Sequence, residues 1–310
     1  MGLQDIVNFI MLLYLKLFMV YTLILLGLVL IGLVVGSVTD LKTREVPDWL
    51  SYGMMGTGVG LSLLFSVLYW DYSFVAHSLF GLLVMFLFGL LMFYSGQWGG
   101  GDSKILMGVG ALVGLSWNLV PFPFPFPFLL AFFVNMLLMG AVYGIGWSVY
   151  LVVRHYSAFK ASFRHIMGLK AVGQVKLMLL VTGFVVLASY FFVDRWLWFV
   201  VLGGYIVVVL ISYLRVAVKA LEKSSMIRSV RPDQLTEGDW IVKDVSYRGK
   251  YICGPKDLGI EKKAIKKLVA LYKAGKIKEI VIKEGIPFVP SFLLAFILTL
   301  FVGNFFFLFI

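Results

Sequence analysis

Residues 17–40 read LFMVYTLILLGLVLIGLVVGSVTD, twenty-three residues without a charge and then an aspartate. A helix rises about 1.5 Å per residue, so a run of this length crosses a hydrocarbon layer of roughly 30 Å. The run is therefore expected to span a membrane, and Asp40 stands where it leaves the lipid. Before it, residues 6–15 are apolar but interrupted by Lys16, too short to cross alone. They are expected either to lie at the interface or to extend the start of the same helix. No basic segment precedes them, so a cleaved signal peptide is not expected.

Further runs of this kind occur at 51–70, 74–95, 103–119, 128–153, 177–193, 196–217 and 289–310. Eight spans are expected, the fourth and sixth short. The composition agrees: 61% of the 310 residues are hydrophobic and the mean hydropathy is +0.97, more apolar surface than a soluble core can hide. The expected fold is an all-α polytopic membrane bundle of about eight transmembrane helices with a small α+β cytoplasmic insertion. Its expected divisions are a bundle over 1–221 with both key aspartates, a soluble domain over 222–288, and a last transmembrane helix over 289–310.

Cytoplasmic loops collect Lys and Arg, and here the basic residues fall in alternate loops. Lys42 and Arg44 follow the first run, Lys104 opens the fourth, and Arg154, Lys160, Arg164, Lys170 and Lys176 precede the sixth. Seventeen more lie between Arg215 and Lys283. The opposite loops hold Asp71, the Pro/Phe stretch 121–128, and Asp194 with Arg195. This places both termini outside and both key aspartates at the cytoplasmic edge. The net charge of +11 is the same asymmetry facing an anionic inner leaflet, so nucleic acid is not expected as a partner. The lone Cys253 excludes an internal disulfide and a cysteine-only zinc site.

Glycines at helical spacing, Gly32 with Gly36, Gly56 with Gly60, and Gly140 with Gly144, are expected to let helices approach closely in lipid. Pro121, Pro123, Pro125 and Pro127 alternate with phenylalanines and forbid a continuous helix, so an extended outer connector is expected there. Within 222–288, residues 239–244 and 278–283 read as strands. Residues 261–274 read as a helix with Ile265, Leu268, Val269 and Tyr272 on one face and Gly275 as its stop. Gly285 to Pro290 then break the polar block and lead into the last run.

Acids inside membrane segments are expensive and mark function. Of sixteen, nine lie between Glu222 and Glu284, and Asp5, Asp71 and Asp194 are outer or terminal. Asp40, Glu45, Asp48 and Asp102 remain near inner edges. Pro47 disfavours helix at Val46, so the backbone is expected to leave the bundle over Leu41 to Pro47 while Asp40 points inward. An ion pair with Arg44, four residues on if the helix continued, is the simpler alternative. Asp102 follows Gly99, Gly100 and Gly101 at the start of a helix, where negative charge is favoured. It could be merely an N-cap, which leaves the three glycines unexplained. Phosphate-cradle motifs fail here: Asp102 stands where a P-loop needs lysine, and Lys104 where a dinucleotide motif needs glycine. Lys104 is expected to anchor the membrane edge. Ser103 has no histidine near it in sequence, and His77, His155 and His165 are assigned no catalysis.

Two converging carboxylates can share one proton, so that one activates water while the other protonates a carbonyl or leaving amine. This hydrolyses an amide with no metal, nucleophilic serine or cofactor. The motifs around the pair, Asp40 to Asp48 (DLKTREVPD) and Gly99-Gly100-Gly101-Asp102-Ser103-Lys104, closely resemble those of the archaeal prepilin and preflagellin (archaellin) peptidases. These are GxGD aspartic membrane proteases related to bacterial type IV prepilin peptidases. Residues 285–290 look like the start of a C-terminal extension found in some archaeal members. The resemblance implies catalytic roles for Asp40 and Asp102, with Gly99 and Gly101 shaping the approach to Asp102. It also implies removal of a short basic leader from pilin-like or archaellin precursors at the cytoplasmic face, with the lipid bilayer as the setting. Glu45 and Asp48 are candidates for contact with the leader's basic residues, and Asp48 could equally cap the second span. The cysteine-rich zinc segment and the methylation activity of the bacterial relatives are not expected here. The alternative from another class is a cation- or proton-coupled transporter using the same acids. A scaffold for pilus assembly is a third reading, and it would need neither carboxylate.

Overall fold

The computed structural model describes residues 3–115 and 127–303. Its helices are α1 (Leu3–Thr43), α2 (Asp48–Tyr69), α3 (Ser73–Tyr94), α4 (Gly100–Val113), α5 (Phe128–Arg154), α6 (Tyr156–Met167), α7 (Lys170–Ala188), α8 (Arg195–Leu221), α9 (Lys262–Lys273) and α10 (Val289–Val302). The strands are β1 (Ile227–Val230), β2 (Trp240–Ile241), β3 (Val245–Tyr247), β4 (Lys250–Cys253) and β5 (Ile280–Lys283). Among the described residues six helices are long and apolar enough to cross a membrane: Lys16–Thr43, Asp48–Tyr69, Ser73–Tyr94, Phe128–Arg154, Lys170–Phe191 and Arg195–Met226. The protein is thus a mainly helical, polytopic membrane protein with a small sheet region. The other two expected spans fall on α4 and α10, each 14 residues, about 21 Å of helix. Both hydropathy runs extend into residues outside the described ones, as does most of the Pro/Phe stretch 121–128.

The chain forms two compact units, Met1–Ile145 with Gly285–Ile310, and Gly146–Glu284. In the first, α1 is one continuous helix of 41 residues, so the apolar stretch before Lys16 continues the same helix, whose candidate span begins at Lys16. Helix α4 is the most enclosed element, with Ser103, Ile105, Leu106 and Gly108 through Val113 all buried. Small residues allow this. The backbones of Gly81 and Gly110 touch, so that a methyl on either would overlap the other helix, and a methyl on Gly58 would lie 2.7 Å from the Ala111 backbone. Of the expected glycine pairs, Gly32 packs on Met54, Gly36 on Ile105 and Gly140 on Phe288, whereas a methyl added at Gly56, Gly60 or Gly144 would meet nothing within 4 Å. Spacing identified a stripe, but which face meets protein depends on how the helix is rotated.

Helix α10 is anchored to α5 by Phe128 and Phe132 against Phe296. Buried Asn135 adds polar ties, donating to Thr299 Oγ1 at 2.9 Å and to the Gly303 carbonyl.

In the second unit, the expected loop before the sixth span is mostly helix α6, which carries Lys160, Arg164 and His165. Its apolar residues recur at Phe159, Phe163 and Ile166, a helical period hidden among basic residues. Helices α7 and α8 are tied by Tyr205, whose hydroxyl donates to the Leu179 carbonyl at 2.7 Å. Three antiparallel strands lie in the order β1-β5-β2, and β3-β4 form a separate hairpin. Val230 faces Ile280 in the register and Ile241 faces Ile282. These four, with Leu235, Cys253, Ile260 and Leu268 of α9, form a small core. Gly275 ends α9 region with a φ of 68°, as its position predicted. Strands β1, β3 and β4 went unread because their residues, IRSV, VSY and KYIC, mix polar or basic side chains among the apolar ones.

Candidate functional site

Helix α1 runs three residues past Asp40. It stops at Arg44, whose φ of 61° is left-handed and whose N–H still donates to the Asp40 carbonyl at 2.9 Å. The backbone therefore leaves the bundle at Arg44, not at Leu41, because the proline restriction acts only on Val46, its immediate neighbour. One helical turn before the end, Asp40 lies on the face that includes Gly36, and it is only 5% exposed. Its Oδ2 accepts the backbone N–H of Val289, at the start of α10, at 3.0 Å. The Arg44 charge reaches the same carboxylate.

Asp102 is the third residue of α4, and Gly99 is the N-cap. The simple N-cap reading of Asp102 is thus corrected: its Oδ2 reaches back to accept the Gly99 N–H at 3.1 Å, the carboxylate half of a capping box. Gly101 has a steric reason. A methyl there would sit 3.2 Å from Val46 Cβ, so the chain after Asp40 and the chain before Asp102 cross at this point. A methyl at Gly99 would meet Asp102 Oδ2 at an ordinary 3.5 Å, and this glycine has no comparable crowding. The crossing brings Asp40 within electrostatic reach of Asp102. Tyr143 of α5 interacts with both Asp40 and Arg44.

The two acids considered for substrate contact lie elsewhere. Glu45 is exposed. Asp48 is the first residue of α2 and makes no capping bond; it pairs with Lys104 at 2.6 Å. Helix α2 is preceded by Pro47, which supplies an extended entry without a capping side chain. Lys104 therefore links α4 to α2, and it also lies over the Tyr52 ring, 5.5 Å from the centroid. Ser103 donates to the Gly89 carbonyl at 3.0 Å, a packing bond between α4 and α3. Among the described residues no group of three His, Cys, Asp or Glu is placed to hold a metal ion.

Sequence reading had Arg44 as a charge partner of Asp40, which the structure supports, but it missed Tyr143 and the Phe288-Val289 turn as neighbours of Asp40. For the turn a signal existed: Pro287 and Pro290 bracket Phe288 and Val289 directly before an apolar run. Nothing in the chain tied it to a residue some 250 positions earlier.

The fold and site define a polytopic helical membrane protein in which two helix ends bring a pair of carboxyl groups together. Residues 25–145, which hold both aspartates, match the type IV leader peptidase family, in line with the resemblance of their motifs. Among curated proteins the chain is similar to the preflagellin peptidase of Methanococcus maripaludis, 40% identical over 83 residues, 27% of this chain and 36% of that one. The preflagellin peptidase of Methanocaldococcus jannaschii is likewise 40% identical over 83 residues, 27% and 35% of the two chains. That of Methanococcus voltae is 39% identical over 84 residues, 27% and 36%. The chain thus covers little more than a third of the length of these relatives. No solved structure matches it.

Proposed function

We propose that the protein is an intramembrane aspartic endopeptidase that removes the short basic leader, a class III signal peptide, from pilin-like or archaellin precursors. The observation that carries this reading is that Asp40 and Asp102 lie within electrostatic reach of each other. In the proposed cycle the ionised carboxylate takes a proton from a water molecule, and the hydroxide formed attacks the scissile carbonyl carbon. The protonated partner gives its proton to the carbonyl oxygen. Collapse of the tetrahedral intermediate then returns a proton to the leaving amine and breaks the C–N bond. Burial excludes competing water and strengthens each electrostatic contact.

The names of the similar proteins support leader removal, and the basic loops support a cytoplasmic position for the site. Eight spans fit that orientation, with α4 short as expected of the fourth; the sixth, expected short, is instead 22 residues long, and α10 is the other short one. The three glycines before Asp102 serve the crossing in this reading, Gly101 by steric fit and Gly99 through its amide. Glu45 is the better candidate for gripping a basic leader, because Asp48 already holds Lys104. The transporter reading has no observation in its favour: Asp40 lies in the last turn of α1 and Asp102 in the first turn of α4, where transport sites lie near the membrane midplane.

The test uses purified full-length protein, a pilin-like precursor and an archaellin precursor. Asp40→Asn and Asp102→Asn should each remain folded and leave both leaders attached. Near-normal trimming by either variant would sink the mechanism. The ratio of the two wild-type cleavage rates decides which precursor class is preferred.

A further inference from the structure

The first turn of α10 lies outside residues 25–145, the part of the chain matched to a peptidase family, yet it touches both aspartate-bearing segments. The Val289 N–H donates to Asp40 at 3.0 Å in a buried contact. The preceding side chain, Phe288, lies against Trp98 with ring centroids 5.6 Å apart, and Trp98 is the residue before Gly99, whose amide holds Asp102.

The surroundings are shaped to hold this turn. A methyl at Gly36 would come within 3.3 Å of Val289 Cγ1, and one at Gly140 within 2.8 Å of Phe288 Cζ. Phe292 closes the aromatic set, with its ring 5.1 Å from Trp98 and 5.6 Å from Phe288. Ser291 ties the turn to itself by donating its hydroxyl to the Phe288 carbonyl at 2.7 Å.

We infer that Phe288 and Val289 form a positioning clamp, the ring fixing the segment before Asp102 and the amide fixing the Asp40 carboxylate, so that the C-terminal helix sets the spacing of the pair. A helix N-terminus is suited to the second task, since its first amides have no partner within the helix and carry partial positive charge. The inference rests on the peptidase reading and adds a part of the chain to it.

Two variants separate the clamp from plain packing. Val289→Pro removes the donor and keeps bulk, whereas Val289→Ala keeps the donor and loses bulk. The proline variant should lower kcat by about a hundredfold with KM within about twofold, because misplaced reacting groups cost rate at unchanged binding. The alanine variant should lose thermal stability and keep kcat within about threefold. Proline at 289 also disfavours the helical backbone of Phe288, so Phe288→Ala gives a second route: kcat down about tenfold at unchanged KM, restored by Phe288→Tyr. Wild-type cleavage abolished by Asp40→Asn, together with normal kcat in both Val289→Pro and Phe288→Ala, overturns the clamp and leaves the peptidase standing. No cleavage by the wild type overturns the peptidase itself. A rise in kcat in either variant overturns the clamp by making the turn an inhibitory strap.

Discussion

Helices α1, α2, α3 and α5 on one side, and α7 and α8 on the other, are alike in length and apolarity, yet their surroundings differ. Between 28% and 39% of the apolar stretch of each of the first four is buried in protein, against 6% for α7 and none for α8. Hydropathy therefore finds helices that belong in a bilayer without saying whether protein or lipid covers them. Glycines at backbone crossings accompany the difference, although Gly183 of α7 also lies close to Tyr205 of α8. In the aspartate-bearing unit Gly58, Gly81, Gly108 and Gly110 each meet a neighbouring helix, whereas Gly203 and Gly204 of α8 have nothing within 4 Å. Lipid tails are as apolar as leucine, so helices associate there mainly by close van der Waals approach.

The largest effect should separate the acids of the two units. Asp40→Asn or Asp102→Asn should lower leader cleavage by about a thousandfold or more, and the double variant should be hardly worse, as expected of groups acting together. Asp239→Asn and Asp257→Asn, in the sheet unit, should leave the rate within about twofold. Comparable losses from all four would erase the distinction between the units.

Next come the glycines. Gly110→Ala or Gly81→Ala forces apart backbones already in contact, at a cost of about 1–3 kcal/mol, readable as a lowered Tm in detergent. Gly203→Ala and Gly204→Ala should leave Tm unchanged, and a fall there would mean that α8 is covered by protein in solution.

A smaller change should follow Lys104→Ala. The pair it forms with Asp48 has side chains 35% and 62% exposed, so water screens it and its loss should cost below about 1 kcal/mol. Asp48→Asn should match it. A severalfold rise in KM for a basic-leader precursor in Asp48→Asn alone would instead give Asp48 a direct substrate contact.

The smallest effect concerns Cys253 in the core of the sheet unit, where burial pushes the thiol up to about 11. The folded thiol keeps its proton while the unfolded one loses it near pH 9. Its contribution to stability is thus complete below about pH 9 and is lost as pH rises towards 11. At pH 7.5 a maleimide should label Cys253 only after denaturation, and rapid labelling of the native protein would show the core to be open.

Several of these features were legible in the chain. The uncharged run 17–39 marked the first apolar helix, and the scarcity of acids near inner membrane edges narrowed the search to Asp40, Glu45, Asp48 and Asp102. Gly275 marked the end of α9, since few residues besides glycine accept its left-handed backbone. Helix α6 was hidden because its basic residues look like a loop, and Gly56 and Gly60 misled because spacing cannot fix helix rotation. Arg44 was legible as a charge partner of Asp40, but its left-handed backbone, unusual for arginine, was not.

By itself the sequence determined that the protein is helical and polytopic, and it named two carboxyl groups as candidates, because transfer free energies and charge costs are properties of short stretches. Only the tertiary structure decided that Gly101 lets Val46 pass, that α4 is the enclosed helix, and that Val289 reaches Asp40. Those contacts join residues tens to hundreds of positions apart, and they depend on helix rotation and backbone approach, which local composition does not encode.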